Sequence, residues 1–198
     1  RQAAAHEVYL GTDAAALPLA GTSTEASLTP AKLDFGRIYY WRVDEVNEAE
    51  PIAVWEGDVW TFQTQEYALI DGFETYTDDI DAGETIFDTW LDGWVNETGS
   101  TVGYFDAPFA ERSVVHSGAQ SMPLAYDNSI APYYSETERD LGGMDWRTGG
   151  ADTLRLFVSG PADGSNDPEP LYVVVEDGAG HLAVVTHPEA ATQADWVE

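Results

Sequence analysis

Short runs of alternating apolar and polar residues recur along this chain, and that period of two predicts strands. In His6-Glu7-Val8-Tyr9-Leu10-Gly11, Val8 and Leu10 share one face while Glu7 and Tyr9 share the other. The clearest run spans 38–46. It sets Tyr39, Trp41 and Val43 on one side and Tyr40, Arg42 and Asp44 on the other. Residues 58–64 alternate as well, with Val59 opposed to Trp60 and Phe62. Residues 14–27 are small and turn-rich, and read as a connection. Past a polar junction at Gln63-Thr64-Gln65-Glu66, strands are expected at 102–105, 112–115, 121–126, 133–140, 153–159, 171–176 and 181–187. The last two flank Asp177-Gly178-Ala179-Gly180, a hairpin signal. No long helical period occurs, and no repeat unites the halves. The pattern implies an all-β chain in two modules, 1–65 and 66–198.

The first module carries a resemblance. Leu33-Asp34-Phe35-Gly36-Arg37-Ile38-Tyr39, followed by Tyr40-Trp41-Arg42-Val43, resembles the E–F corner and F strand of fibronectin type III domains. In that family a Leu six residues before a Tyr packs beneath it, and the Tyr hydroxyl caps backbone in a tyrosine corner. Trp60-Thr61-Phe62 is similar to the G strand. The resemblance implies an immunoglobulin-like sandwich. Such a domain has about seven strands and ~100 residues, so the first module reads as incomplete, with its N-terminal strands missing.

The second module resembles jelly-roll, galactose-binding-like carbohydrate-binding modules. The matching pieces are Leu69-Ile70-Asp71-Gly72-Phe73-Glu74, then Asp88-Thr89-Trp90, then His116-Ser117-Gly118-Ala119-Gln120-Ser121-Met122-Pro123-Leu124. Their order, over about residues 68–187, carries the likeness. The family's closing strand, which often supplies an acidic calcium ligand, is not recognisable, so one or more C-terminal strands read as missing. The resemblance implies a structural calcium held by Glu74, with Asp71 and Gln120 completing the cage beside carbonyls near Gly118. Ca²⁺ takes six to eight oxygens and accepts such mixed sets; the alternative is an acidic residue solvated at a strand end. Two acidic stretches, 78–84 and 163–167, are rival calcium loops and read first as ordinary turns.

Composition narrows the partners. The chain has 198 residues, with 8 Lys and Arg against 36 Asp and Glu, a net charge of −28. Such a surface repels phosphate backbones and anionic lipid, which argues against nucleic-acid and membrane-surface binding. Sulfated and uronic-acid polymers are disfavoured for the same reason. Solubility in a salty habitat is the plainer account of the charge. Eighteen glycines and 10 prolines among apolar runs suit a turn-rich β fold. There is no cysteine, which excludes disulfides, thiolate catalysis and Cys-based zinc sites. No apolar run reaches the ~18 residues of a membrane span. Arg1-Gln2-Ala3-Ala4-Ala5 lacks the apolar core of a signal peptide.

Exposed aromatic rings stack on the C–H faces of sugars. The candidate ligand-binding residues are Trp90, Trp94, Tyr133, Tyr134 and Trp146, with Tyr104 and Tyr126 as further rings. Asp92, Asn96, Asp127 and Asn128 are neighbours able to bond sugar hydroxyls. Each ring has the competing reading of core packing. Tyr133 and Tyr134 are adjacent, so on a strand one of them faces outward. Nothing matches a Gly-x-Ser-x-Gly elbow, a phosphate-binding loop or a His-Glu-x-x-His motif. His181 and His187 bracket a strand, about 20 Å apart by strand rise, too far to share a metal.

Three functions follow as expectations. The first is a non-catalytic, extracellular or cell-surface carbohydrate-binding module that meets a polysaccharide or glycan. The second is a structural spacer or adhesive segment that contacts neighbouring domains or copies of itself. The third is a small β-sandwich glycan hydrolase or lyase, the carboxylates being numerous enough to pair somewhere.

Overall fold

A computed structural model describes residues 3–161 and 163–198; Arg1 and Gln2 of the opening segment lie outside it. Strands dominate and the helices are single turns, an all-β architecture. The chain divides into two compact units. One comprises Arg1–Leu69 with Asp145–Thr153, and the other Ile70–Met144 with Leu154–Glu198. The expected boundary after residue 65 thus falls after residue 69, and a segment from the middle of the second module joins the first.

In the first unit, β1 (Ala5–Gly11), β2 (Leu19–Ser23), β3 (Ile38–Val46), β4 (Val54–Trp55) and β5 (Trp60–Gln63) form one antiparallel sheet. β2 arises from the stretch read as a connection. Its small residues pair with β1, Val8 opposite Gly21, and a Cβ on Gly21 would come within 3.0 Å of Leu28. β1 lies between β2 and β3, with Val8 opposite Val43 and Leu10 opposite Trp41. β4 and then β5 share the far edge of β3, Tyr39 facing Phe62 and Trp41 facing Trp60. The alternation therefore yields an apolar face of Val8, Leu10, Tyr39, Trp41, Val43, Trp60 and Phe62, as the pattern predicts. Tyr39 and Phe62 stack at 5.8 Å.

The opposite face carries the charge. Asp44, only 4% exposed, pairs with Arg42 Nε at 2.9 Å and accepts the Gly57 N–H at 3.1 Å. A Cβ at Gly57 would sit 2.1 Å from the Val43 carbonyl oxygen, so only glycine lets the chain pass this close between β4 and β5. Arg42 in turn lies over the Tyr9 ring at 4.7 Å. The Tyr39 hydroxyl accepts the Asp34 backbone N–H at 3.1 Å, the backbone cap expected of this tyrosine.

The joining segment is held by backbone and shape. Phe35 N–H donates to the Gly149 carbonyl at 2.8 Å, and Lys32 pairs with Asp145 at 3.3 Å. Gly149 has φ +70°, and a Cβ there would lie 2.6 Å from the Phe35 ring. Any side chain would break both the turn and the contact.

The second unit has the buried apolar core: Ile86, Val102, Phe109 and Ala110, flanked by Phe73, Tyr76, Phe87, Trp90 and Met122. Helix α1 (Ile86–Thr89) starts at Thr85, whose N–H and hydroxyl both donate to Asp88. Helix α2 (Gly93–Asn96) starts at Asp92. Strands β6 (Ser100–Val102) and β7 (Leu124–Tyr126) form one pair, β8 (Leu171–Glu176) and β9 (Leu182–His187) another. The hairpin predicted at 177–180 joins β8 to β9. Strands expected at 112–115, 133–140 and 153–159 shrink to isolated bridges: Glu111 with Ser121, Leu91 with Glu138, Val158 with Val197. The backbone there bonds to side chains instead of a ladder. Glu111 captures the N–H groups of Ser113 and Val114, and Tyr133 turns the chain with φ +67°.

Because Asp44 is buried against a half-buried arginine, Asp44→Ala takes away one of the two carboxylates on that guanidinium, Glu56 being the other, and leaves the Gly57 N–H without its acceptor. The expected loss is about 2 kcal/mol in urea unfolding; a loss near zero would mean the pair does not hold the sheet.

Candidate functional site

The sequence candidates separate into three places. Trp94 and the Tyr133-Tyr134 pair are brought onto neighbouring segments. Trp94 projects from α2, whose start is fixed by Asp92: one carboxylate oxygen accepts the Trp94 N–H at 3.1 Å and the other the Val102 N–H at 2.7 Å. The end of α2 is tied to residues 134–138. Asn96 Nδ2 donates to the Glu136 carbonyl at 3.0 Å, Thr98 Oγ1 donates to the same carbonyl at 3.1 Å, and Gly99 N–H donates to the Tyr134 carbonyl at 3.0 Å. Leu91 and Glu138 exchange both backbone bonds at 2.8 Å. Trp94 is 81% exposed, Tyr133 68% and Tyr134 43%. Tyr133 holds a left-handed φ although it has a bulky side chain, a conformation that costs about 1 kcal/mol or more. Its N–H closes a turn on the Ile130 carbonyl at 2.7 Å.

Tyr172 lies beside this surface and was not singled out by sequence. Burial pushes its phenol pKa up first, and its 2.6 Å hydrogen bond to Glu136 adds to that. The signal was available only as a Tyr in a strand, which periodicity assigns to packing.

Trp90 lies elsewhere, half-buried in the core. Its Nε1 donates to Asp71 at 2.8 Å and its ring meets Phe73 at 6.1 Å. Trp90 is therefore a packing residue and not a ring offered to solvent. Trp146 lies in the first unit, half-buried, next to the Asp145 that pairs with Lys32. Tyr104 and Tyr126 also spend their hydroxyls within the protein, on Glu111 and on the Asp167 carbonyl. Of the polar neighbours, Asp92 is buried as a cap, Asp127 accepts from Ser129, and Asn128 accepts from Ser135.

The proposed calcium ligands Asp71, Glu74 and Gln120 do share one corner, where both Asp71 oxygens and Glu74 Oε1 accept from N–H and O–H donors. Asp71, with a side chain 8% exposed, accepts from Arg139, from the Tyr76 hydroxyl at 2.6 Å, from Trp90 and from the Phe73 N–H at 2.7 Å. Glu74 Oε1 accepts the N–H groups of Ala119 and Gln120 at 2.9 and 3.2 Å. Gln120 Nε2 donates to the carbonyls of Phe73 and Tyr76 at 3.0 and 3.1 Å. Gly118, φ +74°, lets Glu74 approach, since a Cβ would lie 2.2 Å from its carboxylate. Asp71 is thus already occupied by a guanidinium and three N–H or O–H donors. Among the described residues no three His, Cys, Asp or Glu side chains group as metal ligands. The stretch 78–84 is likewise used internally: Asp78 accepts the Phe109 N–H and pairs with Arg112, both at 2.9 Å.

Among the described residues five carboxylates have displaced pKa values, and all five move down: Glu111, Asp127, Asp145, Asp163 and Asp177. Hydrogen-bond donors cause each shift. The largest is at Glu111, where the Tyr104 hydroxyl and then the Ser113 N–H bring it down to about 2; Tyr104 rises to about 12 in return. No known protein family, curated protein or solved structure matches the chain.

Glu111 makes acid sensitivity predictable. A carboxylate depressed in the folded state stabilises it above its unfolded pKa, and that contribution fades as pH falls toward the folded value. Wild type should outlast Glu111→Gln in thermal unfolding above about pH 4.5, and the gap should close by about pH 2. A gap independent of pH would remove the carboxylate from the explanation.

Proposed function

We propose that this chain is a non-catalytic carbohydrate-binding segment of an extracellular or surface protein, its second unit a jelly-roll module and its first a fibronectin-type-III-like one. One observation carries the reading: Trp94, Tyr133 and Tyr134 stand exposed on two segments that hydrogen bonds tie together. Phe105, Tyr67 and Trp60 are exposed too; what marks Trp94, Tyr133 and Tyr134 is the hydrogen-bonded frame they share, and flat aromatic faces suit the C–H faces of pyranoses. The strained backbone at Tyr133 supports it, because a costly conformation that presents a side chain to solvent is common at binding sites. The charge of −28 favours a neutral glycan over sulfated or uronic-acid polymers.

The test is titration against neutral polysaccharides by calorimetry or affinity electrophoresis. Trp94→Ala should weaken binding about tenfold. Tyr133→Gly should do the same while keeping stability within about 1 kcal/mol, since glycine accepts the left-handed turn. Absence of binding to every neutral polysaccharide tried would sink the reading.

A spacer or adhesive role has its own support. β9 is exposed at every residue from Leu182 to His187, pairs with β8 alone among the described residues, and carries consecutive apolar side chains. Such an edge invites another strand. On this reading sedimentation equilibrium would show self-association, and Val184→Lys would abolish it; a monomer at all concentrations would exclude it.

A further inference from the structure

The corner around Asp71 is rich in oxygen acceptors, and nitrogen donors of the chain itself are paired with them. Three carbonyls, those of Ile70, Phe73 and Tyr76, converge there with the carboxylates of Asp71 and Glu74. A divalent ion draws on carboxylates and carbonyls of this kind, six or more oxygens at a time. Here nitrogen donors take them instead. Arg139 Nη1 reaches the Ile70 carbonyl at 3.2 Å and the Asp71 carboxylate, with the guanidinium carbon 5.8 Å from the Trp90 ring centre. Gln120 Nε2 bridges the other two carbonyls.

We infer that Arg139 is the resident cation of this corner, with the Gln120 amide as its companion, and that the second unit holds its shape independently of calcium. A guanidinium is always charged and offers several donors in a fixed fork, so it can serve a carboxylate and a carbonyl at once. It is also attached to the chain, one residue beyond Glu138 and five beyond Tyr134. The same residue that neutralises Asp71 therefore anchors the segment bearing the exposed tyrosines. A metal placed beside Asp71 would have to displace a cation already paired with it, and like charges would repel. This goes beyond the glycan reading and stands whether or not a glycan binds.

Thermal unfolding of the 198-residue chain decides it, with no ligand needed. A protein this acidic gains from any divalent ion by screening, so calcium is compared with magnesium at equal ionic strength and with a chelator. Wild type should melt alike in calcium and magnesium, and the chelator should remove nothing beyond the screening effect. Arg139→Met should lower the melting temperature by about 5 °C or more, equally in both ions. Arg139→Lys, which keeps charge but loses the fork, should fall between. A rise of about 5 °C or more in calcium over magnesium, lost in Glu74→Gln, would overturn the inference. So would an Arg139→Met variant as stable as wild type. If Arg139→Met does not fold, Arg139→Lys and the wild-type comparison of ions still decide the matter.

Discussion

Backbone N–H groups that leave a strand ladder still need acceptors, and in this protein carboxylates supply them. Asp92 holds the start of α2 and the N–H of Val102; Glu74 holds Ala119 and Gln120; Asp78 holds Phe109; Asp44 holds Gly57. The second unit is mostly irregular, with two short strand pairs and isolated bridges, so it depends on such caps throughout. With only 8 Lys and Arg, the acids cannot find partners chiefly in cations. The acidic composition thus has a structural share as well as a solvating one.

The two units meet this constraint differently. The first satisfies its backbone with a five-stranded ladder, yet none of the described apolar residues there is fully buried. Its order comes from cross-strand pairs such as Tyr39 with Phe62 and from the Asp44–Arg42 pair. The second has a compact cluster at Ile86, Val102, Phe109 and Ala110, and surrounds it with side-chain-to-backbone bonds. Asp71 joins the two devices in one residue: it caps Phe73 N–H, receives the Trp90 and Tyr76 edges of the core, and pairs with Arg139.

Period-two patterning located β3 to the residue, placed β1, β8 and β9 closely, and assigned both faces of the first sheet correctly. It failed at β2, where Leu19-Ala20-Gly21-Thr22-Ser23 looks like a linker because its members are small, and where pairing with β1 decides the outcome. It overstated 112–115 and 133–140, since alternation says nothing about a carboxylate stealing two N–H groups or a tyrosine turning left-handed. Among candidate site residues, Trp94, Tyr133 and Tyr134 are exposed, as are Trp60, Tyr67 and Phe105, which the pattern did not single out. Trp90 was not separable from them by sequence, because its partner Asp71 lies 19 residues away and the indole bond between them is tertiary. Arg139 was invisible for the same reason, at 68 residues from Asp71.

The chain crosses from one unit to the other three times, not once, because Asp145–Thr153 returns to seat Gly149 on Phe35. The glycine pairs at 142–143 and 149–150, all with positive φ, mark the excursion. No single scission can therefore yield two self-sufficient pieces. A fragment stopping at Leu69 forfeits the strip that covers its phenylalanine, and one starting at Ile70 carries that strip as an orphaned loop. Keeping both units whole therefore means keeping the chain uncut through all three crossings.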